Sequence, residues 1–213
     1  MRAICCFTHL TGAEGWDDPQ YSVKKFVDAI KQRRINGYGW IQVAGKLKRR
    51  LEQRNATMAF DWFGEMSADI LKNQSLNGRP ILVPFPDSKC TVGTARPSKT
   101  KLLANAVARH FPADVADILR FDIEMASANT EQGTRDAAEI YGHLQTIAKV
   151  AKDRPHVLID DVLTTGGHLQ AGAAELRRCG GDVLLAICGV WAHRYPVEDP
   201  FARVELNLED LEF

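Results

Sequence analysis

The sequence predicts an α/β fold: a doubly wound domain on a mainly parallel central sheet. Three observations carry that reading. Short apolar runs ("PILVPF", "HVLID", "DVLLAICGV") alternate with stretches of helical periodicity. The runs are apolar throughout, as strands covered on both faces must be. The turns richest in Gly, Thr and Asp follow the strands, the edge where ligands sit in open sheets of this kind.

The elements follow in order. "MRAICCFTHLTGAEG" reads as a first strand, its apolar run too short for a secretory signal or a membrane span. Val23, Phe26, Val27 and Ile30 recur at helical spacing between Tyr21 and Arg34, and Gly37 with Gly39 end that helix. Residues 41–54 repeat the period through Val43, Ala44, Leu47 and Leu51, which predicts a second helix bearing Lys46, Lys48, Arg49, Arg50 and Arg54. Its basic face is either solvated or a grip for a polyanion such as nucleic acid. A third helix over 62–72 stops at "NGRP" and feeds the strand "PILVPF". Then come the helix "KTKLLANAVARHF", the strand "VADILRF", a polar stretch from Ser127 to Asp136 and a helix over 135–149. "HVLIDDVLTTGGHLQ" opens a strand–turn–helix unit that Gly180 and Gly181 terminate, and "DVLLAICGV" is the last core strand.

Length and composition bound the class. A chain of 213 residues with no linker is read as one domain, 1–213, and its 45% apolar and 25% charged residues exclude a disordered or collagen-like protein. Lys plus Arg and Asp plus Glu are 27 each, so any hold on nucleic acid must come from a local patch. The same balance argues against an acidic membrane as partner. The five cysteines are odd in number and lack a C-x-x-C pair, which fits the reducing cytoplasm. Cys5 and Cys6 read as small buried apolar residues. A homodimer is left open.

The chemistry concentrates after one strand. Val157, Leu158 and Ile159 run into Asp160 and Asp161, and the following turn is expected to let both carboxylates converge. Thr164, Thr165, Gly166 and Gly167 then enter a helix whose first amides lack internal partners and carry positive partial charge. Glycines let such amides approach an anion closely. No lysine stands in the turn, unlike loops that bind nucleoside triphosphates, so the expected guest is a terminal monophosphate. Two acids just upstream suit the vicinal hydroxyls of a sugar and, with ligand oxygens, can hold Mg²⁺ through water. Together these features describe a ribose 5-phosphate site.

"VLIDDVLTTGGHL" resembles the ligand-loop signature of the type I phosphoribosyltransferases. "AIKQRRI", "ILVPFP", "KLLANAVARH" and this loop also occur in the order of the ComF-like group, over Tyr21 to Tyr195. Departures are visible. Adjacent Cys5 and Cys6 do not reproduce that group's N-terminal zinc ribbon, and "ARPSKTK" replaces its Arg-Gly-Phe-Asn-Gln stretch. His168 stands where the family has Thr or Ser, either as a ligand contact or as a solvent-facing first-turn residue. Thr164 stands where purine-salvage members carry an acid, which argues against that subgroup.

The resemblance implies 5-phosphoribosyl 1-diphosphate as ligand, a nitrogenous base or other nitrogen acceptor as partner, and Mg²⁺ as cofactor. It implies a small hood from the N- and C-terminal segments. Asp160 and Asp161 take the catalytic and metal-holding roles, and Thr164, Thr165, Gly166, Gly167 and His168 the 5′-phosphate. Asp87, Ser88 and Lys89 form the pyrophosphate turn, although alone "PFPDSKC" is an ordinary Pro/Asp turn. Arg96, Lys99 and Lys101 are weaker candidates. Ser127 to Asp136 matches a mobile closing loop, with Arg135 its best cation. Trp191, in "WAHRYP", is either the base contact or a hydrophobic hood residue. The rival reading is a non-catalytic binding or regulatory module, sensing a nucleotide or acting through DNA or a protein partner.

Overall fold

The computed structural model describes residues 1–12, 16–43, 48–126, 134–195 and 197–211. β1 (Arg2–Leu10) is followed by α1 (Asp18–Ile30). The start of α1 is a capping box in which Asp17 accepts from the Gln20 amide and the Gln20 side chain accepts from the Asp17 amide. β2 (Tyr38–Gln42) and β3 (Lys48–Glu52) form an antiparallel ribbon ahead of α2 (Met58–Lys72). β4 (Ile81–Pro84), α3 (Lys101–His110), β5 (Asp114–Val115), β6 (Leu119–Phe121), α4 (Ala137–Gly142) and β7 (Leu144–Thr146) come next. The strand–turn–helix unit is β8 (Pro155–Leu163) and α5 (Gly167–Arg178), and β9 (Asp182–His193) and β10 (Val204–Asn207) close the order.

The central sheet has six strands in the order β10-β1-β9-β8-β4-β5, all parallel to their neighbours except β10, which runs antiparallel to β1. Each face carries its own apolar layer, as the doubly wound reading requires. One packs Phe26, Trp62, Phe63, Leu71 and Leu103 from α1, α2 and α3 over Val157, Ile159, Leu185 and Ile187. The other packs Ile140 of α4 and Leu169, Ala173 and Leu176 of α5 over Leu158, Ala186 and Cys188. A buried Leu, Ile or Phe of this kind contributes about 1.5–3 kcal/mol. Both chain termini enter this sheet, as β1 and β10; the β2–β3 ribbon and the β6–β7 pair stand apart from it. No helix among the described residues is long and apolar enough to cross a membrane.

Three segments differ from the sequence reading. Of the basic stretch 41–54, residues 41–42 and 48–52 are strands of a ribbon rather than parts of a helix. Gly39 and Ile41 point inward while Tyr38 and Trp40 point out, a period of two that a helical count over so short a window conceals. The helix expected over 135–149 spans only Ala137–Gly142, because the chain turns at His143 and pairs Leu144–Thr146 with β6. "VADILRF" divides between β5 in the central sheet and β6 in the small one. Of the polar stretch from Ser127 to Asp136, residues 127–133 lie outside the described residues, as does Lys46 of the basic stretch.

Candidate phosphate-binding site

The twin acids sit inside β8, not beyond it. The strand continues to Leu163: β4 pairs with it as far as Ile159, and β9 pairs with it from Asp160 to Leu163, so both acids lie on the strand itself. Just before them, Leu158 packs in the layer on the α5 side and Ile159 in the layer on the α1 side. Each carboxylate also has a neighbour from another element. Asp161 lies 3.4 Å from the Lys31 ammonium, Asp160 3.7 Å from Nδ1 of His168. The Asp161 amide donates to Oδ1 of Asp160 at 2.8 Å. Burial first, then the charge of Asp160, holds the Asp161 carboxyl above its ordinary range, although Lys31 and His168 pull the other way. Both acids line one open cleft of about 360 Å³.

The turn after β8 is a cradle of amides. Gly166 has φ +94°, a left-handed conformation that turns the chain from strand to helix. Among the described residues, the amides of Thr164, Thr165, Gly166, Gly167 and His168 donate to no protein atom. They border a hollow of about 20 Å³, room for a water-sized group, whose mouth shares Asp160, Thr164 and His168 with the larger cleft. Gly167 is required by packing. A Cβ there would lie 3.1 Å from the carbonyl carbon of Arg135 and closer still to its oxygen, which also accepts from the Thr165 hydroxyl at 3.4 Å. The His168 ring stacks on Phe85, centroids 4.7 Å apart and planes 15° apart, so it faces the cleft rather than open solvent.

The turn after β4 lines the same cleft with Asp87, Ser88 and Lys89. Asp87 is occupied within its own loop: it accepts from the amides of Lys89 (3.2 Å) and Lys99 (3.4 Å) and from the Cys90 thiol (3.4 Å). Ser98 and Thr100 anchor the loop by donating their hydroxyls to the Phe85 carbonyl. Lys89, Lys99, Lys31 and Arg33 are the cations of the lining. Lys31 and Arg33 escaped the sequence reading as site residues. "AIKQRRI" held a signal, three cations directly after the last apolar residue of a helix, but only the fold aims that helix end at β8. Gln32 between them has φ +56°, an uncommon conformation for a residue with a Cβ. Arg96 reaches toward Asp87 at 3.9 Å, and Lys101 toward Asp117 at 3.9 Å. Trp191 is not part of the lining. It is half-buried against the second apolar layer, with the His193 ring tilted beside it at 4.2 Å.

No protein-family model matches the chain, and no curated protein is similar to it in sequence. Among solved structures, it is similar to adenine phosphoribosyltransferase from Trypanosoma brucei, in complex with AMP, pyrophosphate and ribose-5-phosphate. That match has 15% identity and a TM-score of 0.42 over 79% of this chain and 66% of that one. The adenine phosphoribosyltransferase from Thermoanaerobacter pseudethanolicus matches with 21% identity and a TM-score of 0.42 over 76% of this chain and 86% of that one. Orotate phosphoribosyltransferase from Mycobacterium tuberculosis matches with 15% identity and a TM-score of 0.36 over 78% and 84%.

Proposed function

We propose that this protein binds 5-phosphoribosyl 1-diphosphate with Mg²⁺ and transfers the phosphoribosyl group to a nitrogen acceptor, releasing pyrophosphate. The observation that carries the reading is the ring of unpaired amides from Thr164 to His168, opening onto a cleft that also holds three acids and four cations. The 5′-phosphate seats across the mouth of the cradle, where amide dipoles and the α5 terminus favour an anion. The His168 side chain stands beside it in place of the family's hydroxyl. Asp160 and Asp161 accept hydrogen bonds from the ribose hydroxyls.

Among the described residues no cluster of three His, Cys, Asp or Glu could hold a metal. The two carboxylates nevertheless fit Mg²⁺, a hard ion that keeps several waters and completes its shell with ligand oxygens. Held there by Asp160 and Asp161, such an ion would neutralise charge on the departing pyrophosphate. Ser88, Lys89, Lys99, Lys31 and Arg33 supply the remaining donors and positive charge to that group, and Asp87 shapes their loop. The bond from the anomeric carbon to the pyrophosphate oxygen breaks, and a bond to the acceptor nitrogen forms as its proton is lost. No side-chain nucleophile is needed, so the protein acts by positioning and electrostatics.

Isothermal titration with 5-phosphoribosyl 1-diphosphate and Mg²⁺ tests binding, and pyrophosphate release across a panel of bases tests transfer. Heat of binding lost in Asp160→Asn supports the site. No heat at millimolar ligand with folded protein ends the proposal, and binding without release under any base leaves only the non-catalytic module.

A further inference from the structure

We infer that the outer face of the β2–β3 ribbon binds single-stranded nucleic acid. The ribbon pairs with itself and not with the central sheet. Its alternation sorts the residues cleanly: Ile41 and Leu51 are buried, and the Trp40 amide donates to Ser22 of α1 at 3.0 Å, which fixes the ribbon on the body. Tyr38 and Trp40 point outward, 56% and 48% exposed. Register sets Trp40 opposite Arg50 and Gln42 opposite Lys48. The two rings lie 6.5 Å apart at 85°, and the Arg50 guanidinium rests 4.6 Å above the Tyr38 ring.

Charge and shape together select the occupant. The whole chain is neutral, yet this face carries Lys48 and Arg50, with Arg54 in the turn just beyond β3, around one acid, Glu52. Both guanidiniums share that carboxylate, which leaves the face positive. Arg49, on the inward side, pairs with Glu65 at 3.1 Å and is not part of the surplus. Cations beside two exposed aromatic rings match a strand that offers phosphates along its length and unpaired bases with open π faces. A duplex conceals those faces. An acidic protein segment satisfies the charge but gives the rings nothing to stack on. This surface lies outside the cleft lining and does not depend on the reading of the cleft.

Fluorescence anisotropy with a labelled oligothymidylate of about 15 nucleotides tests the assignment on the full chain. The wild type binds with a log–log salt slope of about −2, three cations at roughly 0.7 each for a single strand, and tryptophan emission is quenched. Trp40→Ala weakens binding about 5- to 150-fold, whereas Trp40→Phe retains most of it. Arg50→Gln reduces the slope by about 0.7 and serves if the ring variant melts early. Three results overturn the inference. They are no binding by the wild type at roughly 100 µM strand and low salt, undiminished affinity in the Tyr38→Ala/Trp40→Ala double variant, or equal affinity for a duplex of the same length.

Discussion

Gly166→Ala separates the backbone geometry of the cradle from its surroundings. At φ +94° an alanine takes on left-handed strain of about 1–2 kcal/mol. The new methyl also meets Leu208, whose Cδ2 lies 2.8 Å from the position it would occupy, and displacing that flexible side chain adds about 1 kcal/mol. The sum, about 2–3 kcal/mol, lowers the melting temperature of a chain this size by about 4–12 °C. Leu208→Ala in the same chain removes the steric part alone, so the two substitutions are non-additive by about 1 kcal/mol. Gly166→Asn strains the backbone less than alanine, because asparagine tolerates the left-handed region. Thermal melts give the stability, and titration with ribose 5-phosphate gives the effect on the cradle, which weakens as its amides turn. A variant that melts within about a degree of wild type and binds ribose 5-phosphate normally would refute the geometry assigned to this turn.

Two further perturbations bear on the acids. Because the folded state holds a proton on Asp161 more readily than the unfolded chain does, stability falls as pH rises from the ordinary value of 3.8 through the raised folded value. Asp161→Asn removes that slope and raises the melting temperature at neutral pH while losing ligand binding, the trade expected of a functional carboxylate; an unchanged or lower melting temperature counts against it. Glu175, buried at 1% side-chain exposure, behaves oppositely. Burial alone would raise its pKa, but Arg178 and the Thr146 amide and hydroxyl outweigh it and hold it below 4.5. Its contribution is therefore present above that pH and lost as pH falls through the folded value. Glu175→Ala leaves the Thr146 amide without its 2.8 Å acceptor and costs about 1–3 kcal/mol by urea unfolding at pH 7, with a smaller difference in acid.

Strands and helices of the sheet core were legible because their signals are local. A continuous apolar run of strand length, bounded by turn residues and rich in β-branched side chains, reads as a strand covered on both faces, and "VLIDDVLTTGGHL" carried its strand, acids and glycines within one window. The ribbon was not legible, since Ile41, Val43, Leu47 and Leu51 satisfy a helical count nearly as well as an alternating one. What decides between them is the packing of Ile41 and Leu51 under α1, a contact between segments that no local window contains. Lys31 and Arg33 were missed for the same reason.

By itself, then, the sequence determined the layer architecture and the composition of the cradle, because hydrophobic periodicity and unpaired helix-start amides are properties of neighbouring residues. The tertiary structure decided the rest. Asp160 and Asp161 stay on the strand because β8 runs on to Leu163 beside β9, and the end of α1 places Lys31 against one acid while α5 sets His168 near the other. Those are long-range pairings, fixed only when the sheet closes around them.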